Sequence, residues 1–67
     1  MAVTNNLKDI RKKRNLNQEE LAEGTGTCSK SISRIECGTR NASLEVALRM
    51  AKYLELSVED IFQIEDA

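Results

Sequence analysis

The chain has no histidine, no proline and no tryptophan, and carries one tyrosine, one phenylalanine and two cysteines in 67 residues. Each scarcity removes a class of function. Two thiols without an imidazole cannot complete a four-ligand zinc site, so neither a metal nor another cofactor is expected. Two cysteines build no disulfide framework. If Cys28 and Cys37 share one helix, the rise of ~1.5 Å per residue parts them by about 13 Å, past the ~7 Å that a disulfide spans. Catalysis lacks both histidine and any nucleophile with an evident base beside it, so no enzyme is expected. Apolar runs stop at three residues, as in Val46-Ala47-Leu48. Nothing therefore reads as a membrane span or a signal peptide, and the expected location is the cytoplasm.

What the chain does have is charge, 10 basic and 11 acidic side chains, or 31% charged residues beside 40% hydrophobic ones. That balance belongs to a globular domain, and the length allows a single one, residues 1–67. A core of this size supplies roughly 3–5 kcal/mol unaided. The net charge of −1, taken as a total, argues against nucleic acid. Its distribution argues the other way. Residues 1–14 set Lys8, Arg11, Lys12, Lys13 and Arg14 against Asp9 alone, a balance of +4. Residues 15–40 set Lys30, Arg34 and Arg40 against Glu19, Glu20, Glu23 and Glu36, a balance of −1. Residues 41–67 set Arg49 and Lys52 against six acids, a balance of −4. Solvated helix faces are the plain explanation of such runs; the pattern between the two charged ends decides otherwise.

Apolar residues recur at helical spacing throughout, with no stretch of strict alternation. Leu7 and Ile10 mark a first helix from about Asn5 to Arg14. Asn17 suits an N-cap, Glu20 falls where a capping-box carboxylate reaches back, and Leu16 with Leu21 takes the staple positions. A second helix thus starts at Gln18, and Gly24-Thr25-Gly26 breaks it. A third begins near Cys28, places Ile32 and Ile35 one turn apart, and stops at Gly38. After Ser43 a fourth helix presents Leu44, Ala47, Leu48, Ala51 and Leu54, widened by Val46, Met50 and Tyr53, and reads as the most buried. Ser57, Asp60, Leu56 and Ile61 repeat the cap-and-staple chemistry for a fifth. The fold class is all-α, a compact five-helix domain, with room for a short extended tail around Gln63–Glu65.

The segment from Gln18 to Cys37 is the informative one. Two short helices joined by a tight turn with Gly26 form a helix-turn-helix arrangement. Ala22 is small where the helices cross, while Leu21, Ile32 and Ile35 fill the inner faces. The outer face of the third helix carries Ser29, Lys30, Ser33 and Arg34 with no acid, and such a face can enter a major groove without repelling phosphate. Gln18-Glu19-Glu20-Leu21-Ala22-Glu23, Ser31-Ile32-Ser33-Arg34-Ile35-Glu36-Cys37-Gly38 and Arg40-Asn41-Ala42-Ser43 closely resemble the Cro/phage-repressor type of helix-turn-helix proteins, the XRE family. Leu48-Arg49-Met50-Ala51-Lys52 and Val58-Glu59-Asp60-Ile61-Phe62 look like the rest of that domain, so the resemblance covers roughly residues 5–62.

That resemblance implies a small transcriptional regulator, a repressor, binding double-stranded operator DNA as a symmetric dimer. It places Gln18 on a phosphate and behind the reading helix, and it turns Ser29, Lys30 and Arg34 toward bases, with Ser33 on the same face. By the same resemblance, Arg40 and Asn41 are expected to meet the DNA backbone from the loop, and Thr27 from the turn. The resemblance also implies a buried ion pair between Arg11 and Glu36. Thr25 and Thr27 depart from the family's apolar residues, and Cys28 from its capping serine or threonine. Chemistry agrees independently: arginine can give two hydrogen bonds to guanine O6 and N7, and lysine reaches the same edge. Val58, Ile61, Phe62 and Ile64 offer more apolar surface than a short last helix needs, which points to a dimer interface in 57–67 and reading helices about 34 Å apart.

Three rivals can be weighed. Gly24–Ser31 falls one glycine short of a phosphate-binding loop, but a helix precedes it where a strand is required. Cys28 at a helix start beside Lys30 could serve as a redox switch. An antitoxin or adaptor could use the acidic C-terminal half to meet a basic protein.

Overall fold

Residues 2–65 are described by a computed structural model, and the ends of the expected domain and tail at residues 1, 66 and 67 lie outside the described residues. Five helices run in order, α1 (Leu7–Lys13), α2 (Gln18–Thr25), α3 (Ser29–Cys37), α4 (Leu44–Leu54) and α5 (Val58–Ile61). Strands β1 (Ala2–Asn5) and β2 (Phe62–Glu65) flank them. Leu7, Leu21, Ile32, Met50, Leu54 and Ile61 are fully buried, and Ala22, Ile35 and Ala51 complete the central cluster.

The local chemistry that starts α2 and α5 is present atom for atom. Asn17 accepts from the Glu20 amide at 2.7 Å while Glu20 accepts from the Asn17 amide at 3.0 Å. Ser57 and Asp60 do the same at 3.2 and 3.1 Å. Each exchange satisfies two backbone donors that a helix start leaves open. Gly26 and Gly38 end α2 and α3 in the left-handed region, at φ 71° and 80°. Thr39 then returns its amide and its hydroxyl to the Arg34 carbonyl at 3.1 and 3.2 Å.

Four points of the expected fold are changed or extended. The first helix starts at Leu7, not near Asn5, because Asn5 belongs to β1 and spends its side chain on two other partners. Its Oδ1 accepts from the Leu7 amide at 3.1 Å and its Nδ2 donates to the Ile35 carbonyl at 2.9 Å. Secondly, the five-helix, mostly helical fold stands and carries one small sheet. β1 pairs antiparallel with β2 in the register Ala2↔Glu65, Val3↔Ile64, Thr4↔Gln63 and Asn5↔Phe62. The extended tail expected around Gln63–Glu65 is one strand of that ribbon.

Thirdly, Gly24 does not break α2 but lies within it. A Cβ there would stand 2.8 Å from Cδ1 of Tyr53, so the glycine lets the tyrosine ring of α4 rest on the α2 backbone. Fourthly, α4 buries Ala47, Met50, Ala51 and Leu54, whereas Leu44 and Leu48 are 75% and 54% exposed. The core-facing stripe is shifted toward Met50 and away from Leu44 and Leu48. Thr25, at 1% exposure, is accommodated because its hydroxyl donates to the Leu21 carbonyl at 2.7 Å. A buried hydroxyl so bonded avoids the desolvation cost of an orphan.

Candidate nucleic-acid interface

Helix α3 has two unlike faces. Ile32 and Ile35 point into the core at 0% and 2% exposure. On the outer face Lys30 and Arg34 are exposed and Ser29 and Ser33 half-buried. Lys30 and Arg34 stand one turn apart, about 6 Å along the helix axis, and neither enters an ion pair among the described residues. The helix contains one acid, Glu36, and its carboxylate is turned away and fully engaged. Arg11 Nε donates to Glu36 Oε2 at 2.7 Å, Arg11 Nη2 to Oε1 at 3.2 Å, and Gln18 Nε2 to Oε1 at 3.1 Å.

This cluster fixes the angle at which α3 is held. The Glu36 side chain is 2% exposed and that of Arg11 11%. The remaining Arg11 fork donates through Nη1 to the Leu16 carbonyl at 2.9 Å. One guanidinium therefore ties α1, the loop before α2, and α3 together, while Gln18 adds the first residue of α2. The Glu36 hydrogen bond raises the Arg11 pKa above its ordinary value, outweighing burial. A planar fork that gives two parallel bonds to one carboxylate fixes direction as well as distance.

Gln18, expected on a phosphate, spends one amide N–H on Glu36, and a primary amide retains a second. Gln18 shares an open polar hollow with Asn17, Glu19, Ser29 and Arg11 at the start of α2 and α3. Thr27 is half-buried in the turn, and Arg40 and Asn41 are exposed in the loop after α3. Cys28 occupies the N-cap of α3 without making a side-chain cap bond. Its sulfur lies 3.4 Å from the Ser31 hydroxyl, and that contact lowers the thiol pKa.

Among the expected interface residues of the tail, Ile61 is fully buried. It anchors α5 to the core as the staple partner of Leu56, so it cannot face a second copy. Val58, Phe62 and Ile64 line an open groove together with Val3, whose strand was not anticipated. Sequence reasoning missed Asn5 as the tie between the ribbon and the C-terminal end of α3, a contact 30 residues long-range that no local signal marks.

A helix-turn-helix family model matches residues 7–61. The chain belongs to the helix-turn-helix family, of the XRE type. Among relatives of this family, a protein of Methanocaldococcus jannaschii named as an HTH-type transcriptional regulator is 42% identical over 64 residues, 96% of this chain and 97% of that one. The transcriptional repressor RstR of the cryptic phage CTXphi in Vibrio cholerae is 33% identical over 82% of this chain and 50% of its own length. A similar solved structure is the restriction-modification controller protein C.AhdI of Aeromonas hydrophila. It has a TM-score of 0.76 and 31% identity, covering 81% of this chain and 82% of that chain. This helix-turn-helix chain thus spans nearly the whole length of the Methanocaldococcus jannaschii protein.

Proposed function

We propose that this protein is a sequence-specific, double-stranded-DNA-binding regulator of transcription, a repressor, that inserts α3 into the major groove. The observation that carries this is the acid-free outer face of α3, where Lys30 and Arg34 project while the helix's one acid is held by Arg11 and Gln18. Its role is binding, not catalysis, in the cytoplasm and on the nucleoid.

Arg34 and Lys30 read guanine edges, with Ser29 and Ser33 beside them. Gln18, Thr27, Arg40 and Asn41 hold the phosphate backbone and set register. Two copies bind a pseudo-palindrome, as helix-turn-helix pairs do with half-sites one turn apart. Two surfaces are open to the second copy: the tail groove of Val58, Phe62 and Ile64 with Val3, and the exposed leucines of α4.

Selection of bound fragments from random DNA, followed by fluorescence anisotropy on the selected site, tests the reading. Arg34→Ala is expected to weaken the selected site far more than random DNA, by about 1–3 kcal/mol. Equal losses on both would remove base reading from Arg34. A second reading, an antitoxin or adaptor, is favoured by the apolar tail groove with Glu59 in its lining, which suits a basic partner. Absence of any DNA affinity at low salt would transfer the function to that surface.

A further inference from the structure

Helix α4 carries an apolar ridge that the fold leaves uncovered. Leu44 and Leu48, one turn apart, are 75% and 54% exposed and border the buried Ala47 and Ala51. Lys52 continues the same row at the next turn, and Glu45 stands beside it at helical spacing. We infer that two copies of the chain pair through this ridge, antiparallel, about a two-fold axis at Leu48. The inference rests on the reading that paired copies bind an operator, and it names the surface that pairs them.

Charge selects this surface over the tail groove. Across a two-fold axis, residue i faces j and j faces i. With the axis at Leu48, that side chain meets its own copy, and Leu44 lies over the aliphatic stem of the partner's Lys52. Glu45 then comes beside the ammonium of the same lysine. The helix holds its acid, Glu45, in the first turn and Lys52 in the last, with Arg49 at its middle. Antiparallel alignment therefore sets unlike charges together.

The Glu45–Arg49 contact within α4 is long, 3.6 Å, between side chains 76% and 55% exposed. An exposed pair of that kind holds Glu45 weakly. Lys52 has no ion pair among the described residues. The tail groove offers no such match. Glu59 lines it, Glu65 extends from its strand, and the described chain after Lys52 contains four acids (Glu55, Glu59, Asp60, Glu65) and no base. Groove against groove would bring like charges together. Position agrees with charge, because α4 begins directly after the Thr39–Ser43 loop that the functional reading sets on the DNA backbone.

Sedimentation equilibrium of the full chain over rising concentration tests the pairing, with Leu48→Glu and Ile64→Glu as opposed variants. Both positions are exposed, so both variants should keep the wild-type helical signal and, at concentrations where the wild type is monomeric, its melting curve. Leu48→Glu is expected to raise the dimer dissociation constant more than about tenfold, ~1.4 kcal/mol, while Ile64→Glu leaves it unchanged. Glu45→Lys and Lys52→Glu should each weaken the dimer, and the double reversal should restore it. A dimer that survives Leu48→Glu, a dimer lost with Ile64→Glu, or a wild type that stays monomeric throughout would each overturn the inference. DNA is read separately. Leu48→Glu should bind a single half-site like the wild type and lose the added affinity for the palindrome. A wild type that dimerises through α4 yet binds no selected DNA would overturn the operator reading and leave the α4 pairing standing.

Discussion

Three helices converge on the carboxylate of Glu36, and its neighbours define what each can tolerate. Removing the guanidinium with Arg11→Ala leaves a carboxylate at 2% exposure with Gln18 as its remaining partner. Breaking a buried pair from one side costs about 3–5 kcal/mol, comparable to the roughly 3–5 kcal/mol that a core of this size supplies. Urea titration should therefore find Arg11→Ala largely unfolded in water. Arg11→Met combined with Glu36→Leu should recover most of the loss, since apolar replacement of both partners removes the stranded charge. At Cys28 the hydrogen bond from Ser31 favours the thiolate. In a Cys37→Ser background, iodoacetamide alkylation should consequently rise with pH at a midpoint below that of an ordinary thiol. Ser31→Ala should move the midpoint upward; an unmoved midpoint would separate the thiol's acidity from that contact.

At the scale of single elements, α2 shows what one glycine can do for two helices. Gly24→Ala improves helix propensity by ~1 kcal/mol, but the new methyl meets the Tyr53 ring, and overpacking typically costs about 1–3 kcal/mol. Thermal melts should show a net loss in the wild-type background and a net gain in a Tyr53→Ala background. Local grammar made much of the fold legible: the Asn17–Glu20 and Ser57–Asp60 boxes announce their helices, and Gly26 and Gly38 end theirs. The same grammar misplaces Gly24, whose role depends on a ring 29 positions away. Periodicity makes α4 amphipathic but does not say which edge of a wide stripe turns inward. Leu44 and Leu48 look like core for that reason, and only packing against α2 and α5 shows them outside. β1 escapes notice because four residues are too few to display alternation, and its partner lies at the far end of the chain. Lys30 and Arg34 are legible as an exposed cationic turn. That Glu36 is withdrawn from their face becomes a definite contact only once Arg11 and Gln18 stand beside it.

Taken whole, the molecule shows why a net charge of −1 says little about affinity for DNA. The bases of α1, α3 and the following loop precede the acids of α5 and β2, so the total averages over regions with different tasks. Arg40→Ala should weaken binding to all sequences and lower the salt slope by about one. An unchanged slope would place Arg40 off the backbone. The β1–β2 ribbon has its own consequence for the order of assembly. Its register joins Ala2 to Glu65, so the loop it closes contains every helix, and a two-stranded ribbon is marginal in isolation. Closure entropy must be met before those four pairs return anything, which makes the ribbon the last part to form and the first to open. Its amides should exchange with solvent through a local event well below the cost of global unfolding. Through that opening α3 would keep its ties to α1 and α2 and lose the one that Asn5 makes to the Ile35 carbonyl.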